Sequence, residues 1–167
     1  MQVHPIGVIH TPFKHAAGAP LTPRFAKGVR GTVEVYDAFA DGLKDVEGFD
    51  RIWLVFWFHL AVVSKSVTPT YIDPMTPHGV FATRAPSRPN PIGLSCVKLV
   101  AINGHALDVE EVDILDGTPL LDIKPYTPQT DIFEVTRTGW MGAIMSEEGA
   151  DHRVADDRFS EHKMPED

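Results

Sequence analysis

The sequence predicts one mainly β domain, an antiparallel β-barrel-like fold or a sandwich, carrying one or two short helices. Three observations carry that expectation. Apolar stretches of strand length recur along the 167 residues, punctuated by 14 prolines and 13 glycines. Asn103-Gly104 stands between two such stretches, the dipeptide that most favours a two-residue hairpin loop. Helical period is clear over one short segment only, residues 37 to 48.

Val3 to Ile9 reads as the first strand, ended by Thr11-Pro12. Residues 14 to 31 are rich in Gly, Pro, Ala and basic side chains, a long loop of the kind that is usually functional or disordered. From Gly31 to Tyr36, Val33 and Val35 alternate with Thr32 and Glu34, a half-buried strand. The period then changes. Phe39, Leu43 and Val46 share one helical face, with Asp37 as candidate N-cap and Gly48 as stop. Gly42 inside that helix costs about 1 kcal/mol against alanine.

Ile52 to Phe58 is apolar without alternation, which suits a strand buried on both faces. His59 closes it, as a hydrogen-bonded strand-end residue or as part of a site. Residues 64 to 78, with Pro69, Pro74 and Pro77, form a second long loop. An extended apolar run opens at Gly79, and Gly93 to Ile102 is a long strand. Leu107 to Leu115 returns beside it, interrupted at Glu110-Glu111 by a bulge or an edge. Leu120 to Ile123 is a short strand between Pro119 and Pro125. Residues 131 to 145 show no clear pattern. The expected organisation is a barrel domain over 1–145 and an acidic tail or short helix over 146–167.

The formal net charge of −8 does not point to nucleic acid, whose phosphates draw on clustered Lys and Arg. The charge is uneven, however: Lys14, Arg24, Lys27 and Arg30 fall in a stretch with no acid. A lone cysteine, Cys96, excludes an internal disulfide. No apolar run has membrane-spanning length and no leader pattern opens the chain, so the expectation is a cytoplasmic protein without membrane contact. The eight histidines have no metal-ligand spacing, and no Rossmann glycine pattern, Walker motif or nucleophile elbow is present.

The chemistry-bearing stretch is Ala82-Thr83-Arg84-Ala85-Pro86-Ser87-Arg88-Pro89-Asn90-Pro91. Ala85, Arg88 and Asn90 each precede a proline, so this connection is stiff and cannot be helical. It is either a hairpin loop with solvated arginines or a frame holding two guanidinium groups at a set spacing for an anion or a purine. Asp116-Gly117-Thr118-Pro119 is a turn by composition, or else a corner whose backbone groups face a cleft. Tyr126 is either a lid aromatic or a platform for a purine or a cation.

The segment ATRAPSRPNPIGLS closely resembles the signature of the TsaA-like, or tRNA methyltransferase O, family. Three further stretches match that family in the same order: IGVIHTPFK from Ile6, GFDRIWLVFWFH from Gly48, and LDGTPLLDIKPY from Leu115. The resemblance runs from about Ile6 to Pro128. It implies a single barrel that binds S-adenosyl-L-methionine and methylates the exocyclic N6 of a threonylcarbamoylated adenosine beside a tRNA anticodon. The alternative is an S-adenosylmethionine-binding module with a different methyl acceptor or none.

By the same resemblance, cofactor contacts fall to Pro23, Arg24, Phe25, His59, Arg84, Leu94, Asp116, Gly117, Thr118 and Pro119. Arg88, Asn90, Lys124 and Tyr126 would face the tRNA. Asp116 and His59 are possible proton acceptors, and no catalytic residue is assigned. A homodimer is also implied. Phe25 and Leu60 depart from the family pattern, which often has Gln at both positions.

Overall fold

The computed structural model describes residues 2–62, 66–145 and 154–156. Six strands form a closed barrel: β1 (Gly7–His10), β2 (Arg30–Val35), β3 (Arg51–Trp57), β6 (Ile92–Asn103), β7 (Ala106–Glu110) and β8 (Thr118–Pro125). Around the barrel the order is β1-β2-β7-β6-β3-β8, every pairing antiparallel, with β8 returning to β1. Closure leaves no unpaired edge. A two-stranded ribbon, β4 (Val67–Thr68) with β5 (His78–Gly79), lies in the second long loop. Helices are few: α1 (Pro128–Asp131), α2 (Gly139–Met145) and four short 3₁₀ segments.

Alternation in a barrel sends every second side chain inward. Ile9, Val33, Ile52, Leu54, Val97, Leu107 and Leu120 meet at the axis, each fully buried. Removing each from water stabilises the fold by about 1.5–3 kcal/mol.

β3 corrects the expectation of a strand buried on both faces. Ile52, Leu54 and Phe56 point inward, whereas Trp53, Val55 and Trp57 lie on the outside. Of the outer aromatics, later chain covers Trp53 and leaves Trp57 exposed. Trp53 packs edge-on against Tyr126 and donates its indole N–H to Asp131 Oδ1 at 3.2 Å.

Other departures have local causes. β1 starts at Gly7; Val3 is half exposed, and Ile6 N–H joins Leu120 O instead. The predicted helix over 37–48 is two 3₁₀ pieces, Asp37–Leu43 and Val46–Gly48. Asp45, held at φ 67°, separates them, and Asp37 forms no side-chain cap. Leu43 is buried but Phe39 is exposed, so the intended face is only partly used. The apolar run after Gly79 is a 3₁₀ turn, Val80–Ala82, not a strand. β7 stops at Glu110, because Glu111 turns to φ 63° and gives its N–H to Val29 O. Residues 112–117 then cross the barrel mouth, with Val112 and Ile114 buried.

This topology gathers three connections at one end. β1, β3 and β7 finish there and β2, β6 and β8 start there. Residues 11–29, 58–62 with 66–91, and 111–117 therefore roof the same mouth.

Candidate functional site

Under that roof lies a cleft of about 530 Å³. Its walls are mostly apolar, with Phe56 and Phe58 in edge-to-face contact, 5.2 Å between ring centroids. That size and character suit a small organic ligand met by a few placed polar groups.

The arginine loop forms one wall. Its stiffness comes from the prolines and from its own hydrogen bonds. Thr83 Oγ1 donates to Val80 O at 2.8 Å, and Arg88 Nη1 donates to Thr83 O and Ala85 O. Arg88 thus staples its own loop. Arg84 lines the cleft from an exposed position, beside Arg88 and Asn90. Where β6 begins, Gly93 faces Phe56, and a Cβ there would overlap the ring at Cε2 and Cζ. Glycine lets the ring lie flat against the strand at the cleft floor.

The opposite wall comes from Ile114, Leu115 and Thr118. Thr118 Oγ1 stands 3.5 Å from His59 Nδ1. Burial holds the His59 imidazole below its ordinary pKa, against a hydrogen bond with the Trp57 backbone.

Asp116, by contrast, is engaged by the first loop. It accepts from Thr11 N at 3.0 Å and from Lys14 Nζ, and the Lys14 contact chiefly keeps its carboxyl below the usual range. Gly117, at φ 73°, makes the turn that returns the chain into β8.

Thus Pro23, Phe25, His59, Arg84, Leu94, Thr118, Arg88 and Asn90 share the cleft. Arg24, Asp116, Gly117 and Pro119 lie close in sequence but do not line it. Lys124 and Tyr126 sit at the far end of β8, about 20 Å of strand from Thr118. There Lys124 pairs with Asp122 at 2.7 Å.

Sequence reasoning missed Asp113. It lines the cleft, and its Oδ1 is closed off from solvent with no hydrogen-bond partner among the described residues. The residue as a whole keeps some exposure, but the carboxyl end is what carries charge, and that end is buried. Burial pushes its pKa up to about 6, while Ser95, its own backbone and Arg84 pull the other way. In Val112-Asp113-Ile114 one acid alternates with two apolar residues, the ordinary signature of a solvent-facing strand position. Only the crossing of the mouth turns it inward.

The chain beyond the barrel supplies the last wall. Trp140, Met141 and Ala155 line the cleft. Trp140 stacks on His78, centroids 3.9 Å apart at 10°, and donates its indole N–H to Ala82 O at 2.9 Å. His78 is held in turn by Asp73 at 3.0 Å. Gly18 N–H donates to Ala155 O and Ala155 N–H to Ala19 O, a seam continued by the Pro20–Val154 bridge. The expected tail over 146–167 lies outside the described residues apart from Val154–Asp156.

A closed six-stranded barrel whose loops roof one apolar cleft, walled by two arginines and one acid, defines a small-molecule-binding barrel. Residues 8–132 match the model of the tRNA-methyltransferase O N-terminal domain, and the chain belongs to that family. A probable S-adenosyl-L-methionine-binding protein of Pyrococcus abyssi is 52% identical over 137 residues, 82% of this chain and 74% of its own length. The tRNA (adenine(37)-N6)-methyltransferase of Escherichia coli is 36% identical over 136 residues, 76% of this chain and 58% of the enzyme. A crystal structure of TrmO superposes with TM-score 0.71 at 39% identity, covering 83% of this chain and 63% of that one. The chain therefore spans about six tenths of the length of the E. coli enzyme and of that solved structure.

Proposed function

We propose that the protein binds S-adenosyl-L-methionine in this cleft and methylates the exocyclic N6 of an adenosine in tRNA. The acceptor in this reading is the threonylcarbamoylated adenosine next to the anticodon. The observation that carries it is the convergence of Arg84, Asn90, His59, Thr118 and the buried Asp113 on one apolar cleft of ligand size. The fit is chemical as well as spatial. A buried carboxylate oxygen with no partner among the described residues suits a ligand rich in donors and positive charge, and an aromatic floor of two rings set edge to face suits an adenine.

S-adenosylmethionine supplies an already activated methyl on a sulfonium, so the protein's task is alignment and charge placement. Arg84 is placed to grip a carboxylate of the ligand. Phe56 and Phe58 exclude water. His59, kept neutral by burial, can accept a hydrogen bond from an amine entering the mouth. Arg24 and Lys27, exposed on the first long loop, would meet RNA phosphates. A homodimer in the cytoplasm belongs to the same reading. Trp57, Ile92 and Leu94, exposed and adjacent across the β3–β6 pairing, would be covered by a second copy. Sedimentation checks that point.

Transfer of labelled methyl to tRNA carrying the threonylcarbamoyl group, with tRNA lacking it as control, tests the proposal. Label appearing only in the first supports it, and label in neither removes it. Charge favours a second reading, a donor-binding module without an RNA acceptor. Of the four basic residues from Lys14 to Arg30, Lys14 pairs with Asp116 and Arg30, at the start of β2, with Glu110, which halves the free positive charge there. That reading predicts donor binding that tRNA leaves unchanged.

A further inference from the structure

We propose that Asp113 is the charge-selecting residue of the cleft: its carboxylate favours the cationic methyl donor over the neutral thioether left after transfer. The inference rests on the reading of the cleft as the donor's pocket. Among the described residues that line the cleft, Asp113 is the single acid; the other titratable side chains are His59, Tyr71, Arg84 and Arg88. Neighbouring acids are engaged elsewhere, Glu111 with Arg51 and Asp116 with Lys14. Any positive charge entering this apolar space therefore has one anionic complement, and a buried carboxylate, here only partly offset by Ser95 and Arg84, acts over several ångströms without direct contact.

S-adenosylmethionine and S-adenosylhomocysteine share their adenine, ribose, α-ammonium and α-carboxylate. They differ by one methyl and one positive charge at sulfur, because the electron pair of the broken S–CH3 bond stays on sulfur. Contacts to the shared groups hold donor and product alike. A residue that reads the sulfur charge separates them, and so favours exchange of product for fresh donor. Asp113 is built for that role. With Oδ1 unpartnered and buried, the charged carboxylate is held at a cost that a cation offsets and a neutral thioether does not.

The protonation of Asp113 gives the inference a second signature. Its raised pKa, about 6, leaves a fraction of the free protein protonated at mildly acidic pH. A sulfonium beside the carboxylate drives that proton off, and the uncharged thioether in its place does not.

Calorimetric titration of the full chain with S-adenosylmethionine and with S-adenosylhomocysteine, in two buffers of different ionisation enthalpy, tests both points. In the wild type the donor binds more tightly than the product at about pH 8, and the preference shrinks as pH falls through about 6. Proton release at about pH 6 accompanies the donor only. Asp113→Asn lowers donor affinity on the order of 10- to 100-fold while product affinity changes far less, and it abolishes the proton release. In His59→Asn, whatever affinity both ligands lose together, the donor-to-product ratio still falls as pH drops through about 6, which keeps the imidazole's own titration apart.

Equal losses for both ligands in Asp113→Asn overturn the proposal, since the residue would then contact a group they share. Where that variant does not fold, the wild-type pH series decides alone. A donor-to-product ratio that stays flat across the acid range refutes the proposal. Should the wild type bind neither ligand, the reading of the cleft itself fails, and this inference with it.

Discussion

At the scale of single residues, two aspartates three positions apart behave in opposite ways, and their surroundings explain both. Asp113 is buried and its folded pKa is raised above the unfolded value. Its contribution to stability is therefore fully present below about pH 4 and lost as pH rises through about 6. Replacing it by Asn should raise the stability of the ligand-free protein at pH 8 by up to about 3 kcal/mol. Urea melts at pH 8 and pH 5 should show that advantage shrinking on the acid side. Asp116 is held low by Lys14 and the Thr11 amide, so its contribution is present above the usual carboxylate range and is lost as pH falls through the depressed value. Asp116→Ala should cost about 1–2 kcal/mol at neutral pH, and less in acid. Sequence pointed to Asp116 because it sits in a recognisable turn motif. Asp113 carries no local signal, since its burial depends on how residues 112–117 cross the barrel mouth.

At the scale of elements, the strands were legible and the connections were not. Alternation of Val33 and Val35 against polar neighbours is a local fact that the barrel preserves. The hairpin forms where Asn103-Gly104 indicated it, with the turn shifted by one residue: Asn103 pairs with Ala106, and Gly104, at φ 64°, and His105 make the loop. The 3₁₀ pieces between β2 and β3 were hidden, because apolar spacing alone does not reveal a left-handed Asp45. Gly93 is a second hidden constraint, as its role depends on Phe56 across the ladder. Gly93→Ala should destabilise by about 1–3 kcal/mol in denaturant melts. It should also weaken donor binding, because the displaced ring is the cleft floor. Trp140→Ala removes the stack on His78 and the bond to Ala82 O. Donor affinity should fall roughly fivefold, with little change in global stability. Faster amide exchange across residues 139–145 would accompany it. Unchanged donor affinity would mean that this wall is ornamental.

At the scale of the whole molecule, antiparallel closure explains why one end of the barrel carries function. With six strands, three finish and three begin at the mouth, so three loops meet there, while the other end holds the tight β6–β7 turn and the β2–β3 connection over 36–50. The family resemblance conveyed a barrel, but the strand order β1-β2-β7-β6-β3-β8 was not readable from the chain. Nor was the separation of Lys124 and Tyr126 from the cleft: they follow the Asp-Gly-Thr-Pro corner closely in sequence, yet an eight-residue strand carries them to the opposite end. An acidic molecule with few free cations near its mouth should bind RNA with a shallow salt dependence. Replacing Arg24 and Lys27 together by Ala should weaken tRNA binding and lower the slope of log affinity against log salt by about 1–2. Donor affinity should hold in the same variant, as neither side chain lines the cleft.

The seam joining Gly18, Ala19 and Pro20 to Val154 and Ala155 bears on how the protein is made. A nascent chain can close its barrel once β8 has left the ribosome, yet the chamber behind that barrel still lacks a side. Only when residue 155 clears the exit tunnel can the segment at 18–20 be stitched to the one at 154–155. On the reading of this cleft as the donor's pocket, competence to hold a methyl donor is thus acquired after the barrel has closed.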